Sequence, residues 1–145
     1  MGREKGQGMA ARCRMTAVIV HAGKGDKRVS LFDVLLMGHL VGDFLFQTNW
    51  MARWKATRWD ALLGHAAVYT ACVLVAARLD RVTLGLLAVA LLLVSHTVLD
   101  QRRLVRWWAR TVGGITRAED QWVLVVIDQV AHLLILVAVV GLAGR

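Results

Sequence analysis

Four stretches of the chain carry no Lys or Arg: Val29 to Thr48, Ala61 to Ala77, Val82 to Gln101 and Trp122 to Gly144. Each is near the ~17 to 25 residues an α-helix needs to cross a bilayer. A chain of 145 residues that spends more than half its length on such runs has little left from which to build anything else. Its 57% hydrophobic content and mean hydropathy of +0.53 exceed the roughly 45 to 50% apolar content of soluble domains. The expected fold is all-α: an integral membrane four-helix bundle over 29–145, preceded by a flexible basic tail over 1–28. The tail's short apolar run, Ala17 to Val20, falls below the ~7 to 15 residues of a secretory core, and Met15 is an alternative start.

Helix-start signals sit at the edges of these runs. Ser30 and Asp33 make an S-x-x-D capping pattern, so a first helix is expected from Leu31 to about Thr48. Asp60 and Asp80 are placed to cap the second and third, and Glu119 with Asp120 to meet the fourth helix dipole. The connections 49–59 and 101–121 mix Trp with Arg or Lys at helical spacing, which is the composition of helices lying in the headgroup layer, with a break at Gly113 and Gly114. All six tryptophans fall in these connections or at their edges.

In a four-span bundle both connections emerge on one side. Arg53, Lys55, Arg58, Arg102, Arg103 and Arg106, with Arg110 and Arg117, are therefore expected to face anionic lipid headgroups. Positive-inside reasoning makes that side cytoplasmic, whereas the basic tail from Arg3 to Arg28 pulls the other way. The net charge of +8 does not imply nucleic acid, because the arginines alternate with Trp beside the spans. The two cysteines, Cys13 in the tail and Cys72 in the second run, form no disulfide framework.

Three aspartates remain unexplained by helix starts or the tail, and each lies within an expected span four residues from a histidine: His39 with Asp43, His96 with Asp100, and Asp128 with His132. At that spacing both side chains leave the same face of a helix. Their positions along the four runs, with His65 early in the second, place them at one depth of an up-down-up-down bundle. Three carboxylates in hydrocarbon, with no Lys or Arg inside the spans, need a neutralising partner: protons, protonated imidazoles or a metal ion. Mixed His nitrogen and Asp oxygen suits a divalent ion such as Zn, Mn or Fe.

The expected ligands are His39, Asp43, His65, His96, Asp100, Asp128 and His132. These exceed what one tetrahedral ion takes, so two metals, or one metal with carboxylates orienting the imidazoles, both fit. Asp43, Asp100 or Asp128, if not bound to metal, could serve as general base. Gln47, Tyr69 and Gln129 are expected to support the ligands by hydrogen bonds. Gly38, Gly42 and Gly64 are candidates for close helix approach.

The combination His39-x-x-x-Asp43-Phe44-x-x-Gln47, His65 ahead of Tyr69, His96-x-x-x-Asp100 before basic residues, and Asp128-Gln129-x-x-His132 resembles a bacterial membrane family known as domain of unknown function 3307, over about Leu31 to Val140. That resemblance implies a small multi-helix protein of the bacterial inner membrane and no established activity. The pattern is similar, more distantly, to membrane-bound metal-dependent hydrolases.

Three functions compete: a metal-dependent hydrolase or phosphoryl-transfer enzyme on a lipid-linked substrate, a proton or divalent-cation carrier component, and a non-catalytic scaffold. The partners expected are the bilayer and its anionic headgroups, with a homo-oligomer allowed.

Overall fold

The computed structural model describes residues 29–116 and 120–143; the tail 1–28, Arg117 and Glu119 lie outside them. Among the described residues the chain is all-helical, with six α-helices and one π-helical turn. We number the helices α1 (Leu31–Leu40), α2 (Asn49–Trp54), α3 (Trp59–Leu79), α4 (Leu86–Asp100), α5 (Arg103–Thr111) and α6 (Gln121–Ala143).

The first helix starts where the capping pattern puts it. Ser30 Oγ accepts from the Asp33 amide at 3.2 Å, and an Asp33 carboxylate oxygen accepts from the Ser30 amide at 3.1 Å. It does not run on to Thr48. The backbone widens into a π-helical turn at Val41–Leu45, and Thr48 instead caps α2 through the Met51 amide. Asp60 lies inside the first turn of α3, paired with exposed Arg58, rather than at its cap. Asp80 follows the end of α3, and α4 begins after Gly85 with no side-chain cap. α5 stops before Gly113 and Gly114, where Gly114 takes φ +63°, as the double glycine suggests.

α1 packs on α3 and α6, and α4 packs on α3 and α6, so these four close a ring. The end of α1 meets the start of α3, and the end of α4 meets the first half of α6, which makes neighbours antiparallel. Gly38 and Gly42 allow the closest approach: a Cβ on either would stand 2.9 Å from α3 backbone, at Val73 and Tyr69. Gly64 plays no such part, since a Cβ there would meet only the end of Met51.

Two helices, α3 at 21 residues and α6 at 23, are long and apolar enough to cross a membrane. α4 has 15, and α1 ends after 10 before the π-helical turn. At 1.5 Å per residue α4 spans only ~22 Å, so two of the four expected spans have full crossing length.

One half of the ring interior is apolar, formed by Leu35, Val73, Ala77, Leu92, Leu136 and Val139. The other half is polar.

Candidate metal centre

Every long helix sends polar side chains into that second half. Asp43 comes from the π-helical turn, His65 from α3, His96 and Asp100 from α4, and Asp128 and His132 from α6, all buried. One ligand atom each from Asp43, His65, His96 and Asp100 lies within 4.8 Å of the others, and the same holds for Asp100, Asp128 and His132. Asp100 belongs to both groups and joins two adjoining lobes. Their common depth follows from the antiparallel ring: positions late in α1 and α4 align with positions early in α3 and α6.

The first lobe already contains a cation. Lys55 follows α2 and folds back beneath it, so that Nζ lies 3.0 and 2.9 Å from the two Asp100 carboxylate oxygens, 3.2 Å from His65 Nε2 and 3.7 Å from Asp43 Oδ1. The residue is 5% exposed. Lys55 is therefore not at the lipid-facing rim where its place between tryptophans suggests it belongs. To the expected neutralising partners, protons, protonated imidazoles or a metal ion, the structure thus adds an ammonium from outside the charge-free runs. What sequence could offer was indirect: three buried carboxylates without a partner, and a short connection able to reach them.

His65 Nε2 is the crowded atom of this lobe. Asp43 Oδ1 at 3.1 Å and Asp100 Oδ2 at 3.0 Å ask it for a proton, while the Lys55 ammonium and the Gln47 amide nitrogen, each at 3.2 Å, ask it for a lone pair. A single ring nitrogen supplies one or the other, so no tautomer satisfies all four. His65 Nδ1 has no partner. The Lys55 ammonium thus already stands where the acceptors of this lobe would meet a metal cation.

The second lobe has the opposite character, with too few partners. His132 Nδ1 donates to the Asp128 backbone carbonyl at 2.8 Å, which fixes the proton there and leaves Nε2 with a free lone pair. That nitrogen has no hydrogen-bond partner, and neither do His96 Nδ1 and Nε2 or Asp128 Oδ1, whereas Asp100 Oδ2, between the lobes, has the Lys55 ammonium at 2.9 Å. Asp100 Oδ2 stands 3.2 Å from His96 Nε2, yet the pair is misaligned for hydrogen bonding. Buried polar atoms left this way cost about 1 to 3 kcal/mol each, so their grouping at one place calls for an occupant. The His96 ring is held flat on Tyr69, with centroids 3.7 Å apart and planes 5° apart, and edge-on to His132 at 4.8 Å.

His39 stands apart. Its Nε2 donates to Gln129 Oε1 at 3.1 Å, Gln129 passes the bond on to Asp43 Oδ2 at 2.9 Å, and the Tyr69 hydroxyl lies 3.4 Å from His39 Nδ1. With both ring nitrogens engaged, His39 orients Asp43 through Gln129 and falls outside both ligand groups. The reason is its partners: Tyr69 and Gln129 take both ring nitrogens, and Gln129 stands between His39 and Asp43. Gln47 and Tyr69 contact ring atoms as expected of supporting residues, Gln47 on His65 and Tyr69 on His39 and His96.

Arg102, Arg103 and Arg106 are exposed along α5 and its start, and Arg53 lies on α2 beside exposed Trp50 and Trp54. Arg58 is exposed and held by Asp60 at 2.7 Å.

Residues 31–144 match the family described as protein of unknown function (DUF3307). The chain belongs to that family. The matched segment takes in all four ring helices and every member of the cluster. Neither the curated proteins nor the solved structures offer a match to this family member.

The charge balance is simple. Three carboxylates against one ammonium leave a formal −2 with neutral imidazoles, which is the charge of one divalent cation. The buried His/Asp groups could hold a metal ion.

Proposed function

We propose that this chain is a multi-pass membrane protein with a divalent metal in the lobe formed by Asp100, Asp128 and His132, next to His96, and that it hydrolyses or transfers a phosphoryl group on a lipid-linked substrate. The observation that carries the metal is the set of orphaned atoms on Asp128, His132 and the adjoining His96, with the His132 tautomer already set for ligation through Nε2. Lys55 then neutralises Asp43 and Asp100 on the other side, as a fixed charge or as a group displaced by a second ion. A metal-bound water beside a carboxylate that does not ligate is the simplest nucleophile and base such a site supplies.

A membrane location is supported by an inside-out pattern. The ring interior holds His and Asp, while Leu63, Val75, Leu87, Val94, Val130 and Leu134 face outward. Water would not tolerate that arrangement, whereas lipid requires it. All six tryptophans are exposed in the segments nearest the polar half, as at a headgroup boundary. With Arg53, Arg58, Arg102, Arg103, Arg106 and Arg110 on that side, we place it at the cytoplasmic face of the bacterial inner membrane.

The apolar half argues for an enzyme over a carrier. Its buried lining, from Leu35 to Val139, offers an ion or proton no polar step across the remaining thickness. Elemental analysis of the detergent-purified full chain tests the reading. The expected result is about one to two equivalents of Zn, Mn or Fe, lost in Asp128→Asn and His132→Ala with helical content retained. A metal-free protein after equilibration with each ion would overturn it.

A further inference from the structure

Asp128 is the one carboxylate of the cluster that also reaches the surface, its side chain 12% accessible against 3% and 1% for Asp43 and Asp100. It forms the floor of a cleft of about 40 Å³ between α5 and α6, whose walls include Arg102, Arg106, Gln121 and Val105. On the far side of Val105 lies a second depression of about 400 Å³, lined by Leu99, Trp108, Ile127, Val130 and Leu134 and almost wholly apolar. Val105 is shared by both, so a small cationic cleft at Asp128 adjoins a tenfold larger apolar groove.

We propose that this surface is the binding site for a phosphate-headed lipid, its phosphate between Arg102 and Arg106 above Asp128 and its alkyl chain in the groove beside Trp108. Charge complementarity selects the occupant. Two guanidiniums beside one carboxylate leave the cleft net positive, and guanidinium is matched to phosphate oxygens. The groove bears no polar side chain along the residues named, so what lies there has to be hydrocarbon joined to the anion. A free phosphate would use the cleft and leave the groove empty, and a neutral lipid the reverse. α5 suits the task, with Arg106 directed to the cleft while Leu104, Val105 and Trp108 serve the groove. The assignment rests on the proposed metal site for the chemistry done on the lipid once it is bound.

The test uses the full chain in detergent and a short-chain phosphatidate brominated on its acyl chains, since bromine quenches only nearby tryptophan. We expect saturable quenching, most of it lost in Trp108→Phe. Arg102→Asn with Arg106→Ala should raise the half-saturating concentration at least tenfold; Asn suits the left-handed backbone at position 102, φ 56°. Val130→Phe, which fills the groove, should abolish saturation.

Equal quenching by the matching brominated diacylglycerol, displacement of the lipid by an equal concentration of inorganic phosphate, or indifference to the arginine pair would each overturn the assignment. Metal content measured on the same samples separates the two readings. Phosphate-dependent quenching that survives in metal-free Asp128→Asn supports the lipid site without the metal. A metal-loaded protein with no phosphate-dependent quenching sinks the lipid site alone.

Discussion

Around Leu92 and Leu136 the four ring helices meet through apolar side chains only, whereas about one turn away, at His96 and His132, the same α4 and α6 meet through imidazoles with unpartnered nitrogens. The two regions share backbone, helix pairing and degree of burial, and differ only in which side chains fill the ring. The apolar half is complete as built, because packing alone satisfies it. The polar half is complete only when every charge has a counter-charge, so its stability depends on what it binds. One half is a scaffold, and the other is a site whose occupant is part of the fold.

The sharpest way to break this contrast is to move the chemistry of one half into the other. Leu136→Asp would put a carboxylate where no cation reaches, and we expect a loss of at least about 4 kcal/mol, seen as failure to purify as a monodisperse species. A well-behaved Leu136→Asp would mean that the apolar half is wetter than its packing suggests.

Removing the fixed cation comes next. Lys55→Met should cost about 3 kcal/mol in chelator, since it strands buried Asp100 and Asp43, and added Zn should restore most of the lost thermal stability. An equal loss with and without metal would mean that no ion takes over the lobe.

A smaller effect separates ligands from supports. His39→Ala should lower Zn affinity by about threefold or less in equilibrium dialysis, because His39 reaches the cluster only through Gln129, against about a hundredfold or more for His132→Ala. Equal effects would return His39 to the ligand set. The smallest change lies outside both halves: Ser30→Ala should cost about 1 kcal/mol at the start of α1, with metal content unaltered.

How much of this was legible depends on the range of the forces involved. The capping box at Ser30 and the break at Gly113–Gly114 are local, decided within four residues, and they stand where the sequence puts them. The proposed caps at Asp60 and Asp80 are off by a position or an element, because several acids near a helix start serve its dipole almost equally well. The i,i+4 pairs marked residues that the fold buries close together, though the contacts are not the expected ones. His96 approaches Asp100 at 3.2 Å and His132 bonds Asp128 through its backbone, while His39 reaches Asp43 only through Gln129.

Periodicity and charge-free runs thus determined the all-helical class, the polar face of each helix and the common depth of the imidazoles and carboxylates, since all of these follow from helical pitch and antiparallel order. Which side chains share an atom was left to tertiary packing. The fold-back of Lys55, the exclusion of His39 and the double membership of Asp100 each depend on angstrom-scale placement of one helix against another, which no spacing within one helix encodes.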